Sequence, residues 1–250
     1  MHSISLGEET IYFEIKRGRR KKSLAILVDP RAQVIVLAPR CLQEEKIRAF
    51  VQTKARWIME KQELVRISRS LNPPKEFVNG ETFPYLGRQY RLEIIQSSVR
   101  REEKCRLIRG RLKVEIGQGL GEKEARARVR RALLDWYFER AAGKIRERID
   151  PWAARIGRWP QGLEIKDHRA RWGSCSPSGI VRFNWKIIMA PLPVVDYVIV
   201  HELCHLFHLH HSHRFWQKVR SILPDYQKSR LLLRQSRLAF EDTDASDEES

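Results

Sequence analysis

The chain lacks any apolar run of about 18 residues, the minimum that a membrane-spanning helix needs, so the sequence predicts no transmembrane segment. Residues 1–7 lack the basic segment and apolar core of a secretory signal peptide. Cysteine is scarce, with four widely spaced residues and no CxxC pair: Cys41, Cys105, Cys175 and Cys204. These absences predict a cytoplasmic protein with free thiols and no membrane partner.

Acidic residues are the minority charge, with 31 Asp and Glu against 48 Lys and Arg, and the net charge is +17. Many of the acids are gathered in residues 241–250, which are predicted to form a disordered, solvated tail. A body this basic favours a polyanionic partner, such as nucleic acid, a nucleotide or an acidic protein. A basic charge that serves only solubility is the equal alternative.

Hydrophobic periodicity predicts an α+β chain, with a β-rich N-terminal region containing one helix over residues 1–117 and a second domain over residues 118–240. The predicted helix of the first region spans residues 43–67. A hairpin or meander is predicted around the turn Asp29-Pro30-Arg31-Ala32.

The second domain is predicted to begin with a helix over residues 122–149 that ends at Pro151. Strands are predicted at residues 163–167 and 180–185, with a loop at residues 169–178 between them. Pro191 and Pro193 then precede an apolar run that is typical of a buried helix, and a final helix is predicted from about residue 225 to residue 240.

The helix after Pro193 carries the most informative motif, His201-Glu202-Leu203-Cys204-His205. Residues four apart share one face of a helix, so His201 and His205 can present two imidazoles to one metal ion. Glu202 lies beside that site, where a carboxylate can deprotonate a metal-bound water. One alternative is an ordinary buried helix that carries two hydrogen-bonded histidines. Another is a histidine-rich tract that binds metals loosely, which explains the clustering but not the position of Glu202.

A catalytic zinc usually takes three protein ligands and leaves the fourth position to water. Four later histidines compete to be the third ligand: His208, His210, His211 and His213. His208 continues the helical series, but three ligands from one straight helix do not surround an ion well. A chain reversal after about residue 207 allows His211 to approach from another side, so His211 is the predicted third ligand.

Several motifs in combination resemble the YgjP-like, zincin-type metallopeptidase family, over nearly the whole chain except the acidic tail. In the second domain they are residues 196–206, His211-Ser212, Phe215-Trp216, the run Arg171-Trp172-Gly173-Ser174-Cys175-Ser176, Gly179 and Phe183-Asn184-Trp185. In the first region they are Arg20-Lys21, Trp57-Ile58, Tyr85-Leu86-Gly87 and Tyr90.

The resemblance implies a zincin-like catalytic domain, with the HExxH motif on a helix, that hydrolyses peptide bonds in a peptide or protein substrate. It implies Zn²⁺ as the cofactor, bound by His201, His205 and His211, and it implies Glu202 as the general base. The chain departs from the family pattern at His210, where Asn is usual, and this makes His210 an alternative ligand.

Peptide hydrolysis also needs a partner for the developing oxyanion, and the candidates are Arg169, Arg171 and Tyr197. The alternative interpretation is a packed turn for the run that begins at Arg171, and simple packing for Tyr197. By resemblance, the strand at residues 180–185 is predicted to lie at a sheet edge beside the cleft, where an extended peptide adds as a further strand.

Two alternative functions also involve a bound metal ion, but in a different role. A metal-dependent nucleotide phosphohydrolase would use the same basic charge, although the chain has no Gly-x-x-x-x-Gly-Lys-Ser/Thr loop and few clustered carboxylates to hold magnesium. A nucleic-acid-associated protein with a structural metal would need a closed four-ligand site, with His208, His210 or His213 in the fourth position.

Overall fold

The computed structural model describes residues 2–7, 9–18, 24–29, 31–71, 75–98, 103–168 and 171–240. The chain forms two compact units, residues 1–74 with 237–250 and residues 75–236. The predicted acidic tail and the Arg20-Lys21 motif lie outside the described residues. No helix in the described part of the chain has the length and apolarity needed to cross a membrane.

The first unit contains a four-stranded sheet in the order β1-β2-β4-β3, followed by two helices. The elements are β1 (His2–Leu6), β2 (Glu9–Gly18), β3 (Ala25–Val28), β4 (Val34–Pro39), α1 (Glu44–Thr53) and α2 (Ala55–Leu71). Strands β3 and β4 pair antiparallel, which confirms the predicted hairpin, whereas β2 and β4 pair parallel. Alternate residues such as Phe13 and Val36 face a core that Ile47 and Ile58 of the helices complete.

The single helix predicted at residues 43–67 is wrong, because the chain breaks at Lys54 into α1 and α2. The backbone N–H of Lys54 bonds to Val51 O at 3.1 Å, and Ile58 N then bonds to Lys54 O at 2.9 Å to begin the second helix. Val51 and Ala55 are both buried on the two sides of the break. Packing of both helices on the sheet therefore overrides a continuous helical pattern that contains no glycine or proline.

The second unit contains two small sheets and most of the helical residues. Its strands are β5 (Thr82–Tyr85), β6 (Arg88–Ser97), β7 (Cys105–Ile108), β8 (Arg111–Gly117), β9 (Gly162–Lys166), β10 (Gly173–Cys175) and β11 (Ile180–Asn184). Its helices are α3 (Glu122–Ile156), a 3₁₀ helix (Trp185–Met189), α4 (Leu192–Cys204), α5 (His213–Ile222) and α6 (Tyr226–Phe240). The sheets have the orders β5-β6-β8-β7 and β10-β11-β9. The described chain is thus a mixed α/β structure with several small sheets.

Helix α3 continues through Pro151, so the predicted stop at that proline is wrong. An interior proline costs about 3 kcal/mol in an isolated helix. Here Ile149 and Ala153 are buried on either side of it, and their packing offsets that cost. The helix ends instead at Gly157, which has a φ of +82° and donates its N–H to Ala153 O at 2.8 Å.

The Tyr85-Leu86-Gly87 motif attaches the β5–β6 turn to the chain that leads into α4. Leu86 N donates to Ile188 O at 2.8 Å, and Gly87 N donates to Met189 O at 3.2 Å. A Cβ on Gly87 would lie 2.9 Å from Pro191 Cα, and its φ of +78° also favours glycine. The motif therefore braces the start of α4 by a close backbone approach.

Helices α3 and α4 are joined by an ion pair. Arg148 donates to both carboxylate oxygens of Asp196, at 2.8 Å from Nε and 2.7 Å from Nη2, and Trp152 Nε1 donates to Oδ1 at 3.0 Å. The side chain of Asp196 is 12% exposed. These bonds fix α4 along α3 five residues before the first histidine of the motif.

Replacing Asp196 with Ala should lower the free energy of unfolding by about 3 kcal/mol, because Arg148 and Trp152 lose their acceptor in a half-buried position. Urea unfolding followed by tryptophan fluorescence measures the change. Asp225→Ala is the matched control, since Asp225 pairs with Lys228 where both side chains are more than four-fifths exposed. The control should cost less than about 1 kcal/mol, and equal losses would contradict the role given to Asp196.

Candidate metal centre

Helix α4 ends at Cys204, within the sequence His201–His205. Pro191 caps its N-terminus, and the helix is buried from Val194 to Val200 on all its faces. His201 and Glu202 lie in its last turn, and His205 is the residue that caps its C-terminus. The apolar run before the motif is therefore the reason that these polar side chains sit in a largely water-free environment.

The chain reverses direction immediately after His205. Phe207 N and His208 N both bond to Cys204 O, at 3.1 and 3.2 Å, which closes the turn. Ser212 then caps α5 by accepting a bond from Phe215 N at 3.4 Å. This reversal brings His211 back toward α4, with its Nε2 3.0 Å from Nε2 of His201.

Two cations hold the reversing turn in place. Arg158 donates to Leu206 O, and its guanidinium lies 5.2 Å from the ring centre of Phe207. Lys218 lies 4.8 Å from the same ring centre and donates to Ile156 O at 3.4 Å. Both groups thus bind carbonyls at helix C-termini, where a positive charge is favourable.

The imidazoles of His201, His205 and His211 form a nearly equilateral group. Their ring centres are 4.9 Å, 5.0 Å and 4.8 Å apart. One ligand nitrogen from each lies within 4.8 Å of the other two, and no other His, Cys, Asp or Glu of the described chain joins this cluster. His208 contributes its backbone carbonyl instead of its ring, and His210 and His213 stay outside the cluster.

The hydrogen bonds of these rings fit a metal-binding role. His205 Nδ1 lies 2.9 Å from His208 O, and a carbonyl only accepts, so Nδ1 carries the proton and Nε2 offers its lone pair. His201 is largely buried, yet its Nδ1 has no hydrogen-bond partner among the described residues. Its Nε2 faces Nε2 of His211 at 3.0 Å, so this is the nitrogen that a metal ion in the cluster would meet.

The pKa values of all three clustered imidazoles are lowered, including that of the exposed His211. Desolvation, and then the neighbouring histidines, lower the pKa of His201 to about 3. Desolvation also lowers the pKa values of His205 and His211, with the charge of Arg230 as the next contribution at His211. These shifts favour the uncharged form of the rings, which presents the lone pairs that a metal ligand requires.

Glu202 is 5% exposed and lies against strand β10. A Cβ on Gly173 would fall 2.7 Å from both Cγ and Oε1 of Glu202, so the carboxylate occupies space that only glycine leaves open. Burial raises the pKa of Glu202 to about 8, and the charge of Arg171 opposes that rise. A buried carboxylate with a raised pKa beside neutral imidazoles can exchange a proton near neutral pH.

The other predicted side chains have different surroundings. Arg171 is exposed and acts on Glu202 through its charge. Tyr197 is 4% exposed and packs edge-on to His201 at 5.8 Å and parallel to Tyr226 at 6.2 Å, which agrees with the packing interpretation. Arg169 lies outside the described residues.

The predicted edge position of the strand at residues 180–185 is wrong. Strand β11 is the central strand, paired antiparallel with β10 and parallel with β9. The predicted loop at residues 169–178 contains β10, which is an edge strand and contacts α4. A three-residue strand has no periodicity to reveal it, although a glycine inside a strand indicates a close approach.

Two features of the site were missed by sequence reasoning. Gly173 belongs to a motif that the sequence singles out, and its small size was the available signal. Arg230 of α6 lies 4.6 Å from the ring centre of Trp216, which in turn stacks on His211 at 5.6 Å. Nothing in the sequence around Arg230 distinguishes it from the other arginines of that helix.

One comparison with known proteins identifies a family for this chain. A family model described as "YgjP-like, metallopeptidase domain" matches residues 22–236. The crystal structure of the metallopeptidase zymogen of Pyrococcus abyssi abylysin is 16% identical, with 40% of this chain and 97% of that chain covered and a TM-score of 0.35. The crystal structure of the metallopeptidase zymogen of Methanocaldococcus jannaschii jannalysin is 19% identical. The match covers 37% of this chain and 95% of that chain, with a TM-score of 0.34. A search of curated proteins found no match. Because the family model spans most of its length, this chain belongs to the YgjP-like metallopeptidase family.

Proposed function

We propose that this metallopeptidase is a zinc enzyme in which His201, His205 and His211 bind the ion and Glu202 is the general base. The observation that carries the proposal is the cluster of three neutral imidazoles, with ligand nitrogens within 4.8 Å of one another, beside a buried carboxylate. We further propose that residues 118–240 form a zincin-like domain with the HExxH motif on α4. The separate role of residues 1–117 stays a prediction.

The donor set favours zinc over the other common divalent ions. Three imidazoles and an open position suit a catalytic zinc, whereas calcium and magnesium prefer oxygen ligands. No carboxylate of the described residues joins the cluster, which argues against a magnesium-dependent phosphohydrolase. No fourth histidine joins it either within the described chain, which argues against a closed structural site.

A zinc ion bound there would polarise the scissile carbonyl and lower the pKa of the attacking water. The role of Glu202 is to accept a proton from that water and to pass it to the leaving amine nitrogen. Its carboxylate is held beside the cluster by the end of α4 and the backbone of Gly173. A positive charge next to Glu202 lowers the pKa of that carboxyl and so favours the ionised form that accepts the proton.

Zinc content tests the ligand assignment. Wild type should contain one zinc per chain by elemental analysis, and His201→Ala and His211→Ala should lose it, because two imidazoles hold the ion much more weakly than three. His213→Ala is the matched control, since His213 lies two residues from His211 but outside the cluster. Full zinc in His211→Ala would contradict the choice of third ligand, and a folded wild type without zinc would contradict the proposal itself.

The pH profile tests the link between Arg171 and Glu202. Arg171→Gln should move the acid limb of kcat/KM to higher pH, because it removes the charge that opposes the burial-induced rise in the pKa of Glu202. Arg171→Lys keeps the charge and should leave the limb close to its wild-type position. An unchanged limb in Arg171→Gln would show that another group governs activity at low pH.

A further inference from the structure

A wall of stacked aromatic rings flanks the histidine cluster on the side of α5 and α6. The ring of Trp216 stacks on His211 with centres 5.6 Å apart and planes at 21°, and it also stacks on Tyr226 at 5.6 Å and 19°. Its centre is 5.8 Å from that of His201. Trp216 is therefore in direct contact with two of the three clustered imidazoles and has little freedom to move.

Arg230 rests on this wall. Its guanidinium carbon lies 4.6 Å from the ring centre of Trp216, a distance at which a cation is attracted to the face of an indole. The side chain is half-buried. A cation–π contact does not consume the N–H groups of a guanidinium, so they can also donate to an acceptor.

Arg230 has no carboxylate partner among the described residues. Two other half-buried arginines of this unit do pair with carboxylates, Arg148 with Asp196 and Arg182 with Glu164. An unpaired cation beside a metal-binding site is electrostatically unfavourable. We therefore expect a negative charge to develop beside Arg230 during the function of the protein.

Glu202 and Arg230 contact different elements around the site. Glu202 packs against Gly173 of β10, whereas Arg230 lies on Trp216, the ring that stacks on His211. In peptide hydrolysis the water attacks from the side of the general base, and negative charge then grows on the carbonyl oxygen, which is a different position around the reacting carbon. That oxygen is stabilised most by a hydrogen-bond donor that lies apart from the general base.

We propose that Arg230 is a catalytic residue that donates hydrogen bonds to the carbonyl oxygen of the scissile peptide bond as that oxygen becomes negatively charged. This inference rests on the proposed peptidase function. The water oxygen bonds to the carbonyl carbon, the carbonyl π pair moves to the oxygen beside Arg230, and Glu202 takes the proton of the water. When the pair returns, the C–N bond breaks and the proton passes to the leaving nitrogen.

The decisive experiment compares wild type, Arg230→Ala and Arg230→Lys as zinc-loaded full-length proteins, with unfolded casein as the substrate. Arg230→Ala should lower kcat by about 10²- to 10³-fold with little change in KM, as expected for a group that binds the oxyanion and not the ground state. Arg230→Lys should recover part of that loss. Lys228→Ala, an exposed cation on the same helix, is the matched control and should behave as wild type.

A binding measurement separates this role from a structural one and does not need activity. N-phosphoryl-Leu-Trp carries a tetrahedral anion, so its calorimetric affinity should fall in Arg230→Ala by a factor similar to that of kcat, while zinc content and the affinity of a peptide hydroxamate stay unchanged. Unchanged kcat and phosphoryl-peptide affinity, or loss of zinc in both Arg230 variants, would overturn the proposal. A defect confined to the KM for peptides with acidic side chains would also overturn the proposal, because it would show that Arg230 binds a substrate side chain. Failure of the wild type to bind zinc or cleave casein would instead count against the proposed function.

Discussion

Replacing Glu202 with Gln should lower kcat on a peptide substrate by about 10³-fold or more, because a carboxamide cannot accept the proton of the attacking water. Glutamine has nearly the same shape as glutamate, so the packing against Gly173 should survive. Zinc content should stay at the wild-type value, since Glu202 is not part of the imidazole cluster. Steady-state kinetics together with elemental analysis measure both quantities on the same sample.

The matched control for this variant is Glu164→Gln. Glu164 lies on β9, in the sheet that contains Gly173, and its carboxylate pairs with Lys166 and Arg182. Removing that charge should leave kcat within a few-fold of wild type. If Glu202→Gln keeps a comparable kcat while binding zinc, the general-base role is wrong and another group takes the proton.

The same variant gives a stability test whose sign follows from the raised pKa. Burial raises the pKa of Glu202 from an ordinary value of 4.5 to about 8, so the folded metal-free protein holds this proton more tightly than the unfolded chain does. The free energy of unfolding should therefore fall, relative to Glu202→Gln, as the pH rises from about 4.5 toward 8. Urea unfolding of both metal-free proteins across that range measures the difference.

Local spacing was enough to predict that the histidines meet. His201 and His205 share a helix face because of the helical period, and that relation needs no tertiary information. His211 required a further step, a chain reversal after α4, and the turn closed by Cys204 O provides it. The sequence therefore predicts the histidine cluster, because all three histidines lie within eleven consecutive residues.

The surroundings of Glu202 and the histidines were not predictable in the same way. Gly173 and Arg230 reach the site from elements that are distant in sequence, and their contacts depend on how β10 and α6 pack. The central position of β11 likewise depends on pairing with β9 and β10, which the alternation within one strand does not encode. Tertiary packing decides these features.

The two errors in helix length have opposite origins. At Pro151 the sequence contains a strong local signal to stop, but buried neighbours on both sides carry α3 onward to Gly157. At Lys54 no residue signals a stop, yet the chain ends one helix and begins another, with buried residues on each side. Helix boundaries in this protein thus follow the surfaces that must be buried more closely than they follow individual residues.

Replacing Gly173 with Ala should lower kcat by about 10²-fold without loss of zinc, because a general base that is displaced by about 1 Å loses its alignment with the reacting groups. The new Cβ would lie 2.7 Å from Cγ and Oε1 and 2.9 Å from Cδ of Glu202, closer than carbon atoms approach one another. Since Glu202 is buried at the end of α4, it can relieve the clash only by moving its carboxylate away from β10. The three atoms nearest to that Cβ all belong to Glu202, so we expect the histidines to keep their positions.

Gly162→Ala is the matched control, because Gly162 begins β9 of the same sheet and its Cβ would meet Ile180 at 3.6 Å, an ordinary contact. Its kcat and its urea midpoint should both stay near wild type. Kinetics, zinc content and urea unfolding of the two variants together separate displacement of Glu202 from general loss of structure. A Gly173→Ala protein that folds, binds zinc and keeps full kcat would mean that the carboxylate functions equally well from another position, and the tight contact with β10 would then have no catalytic purpose.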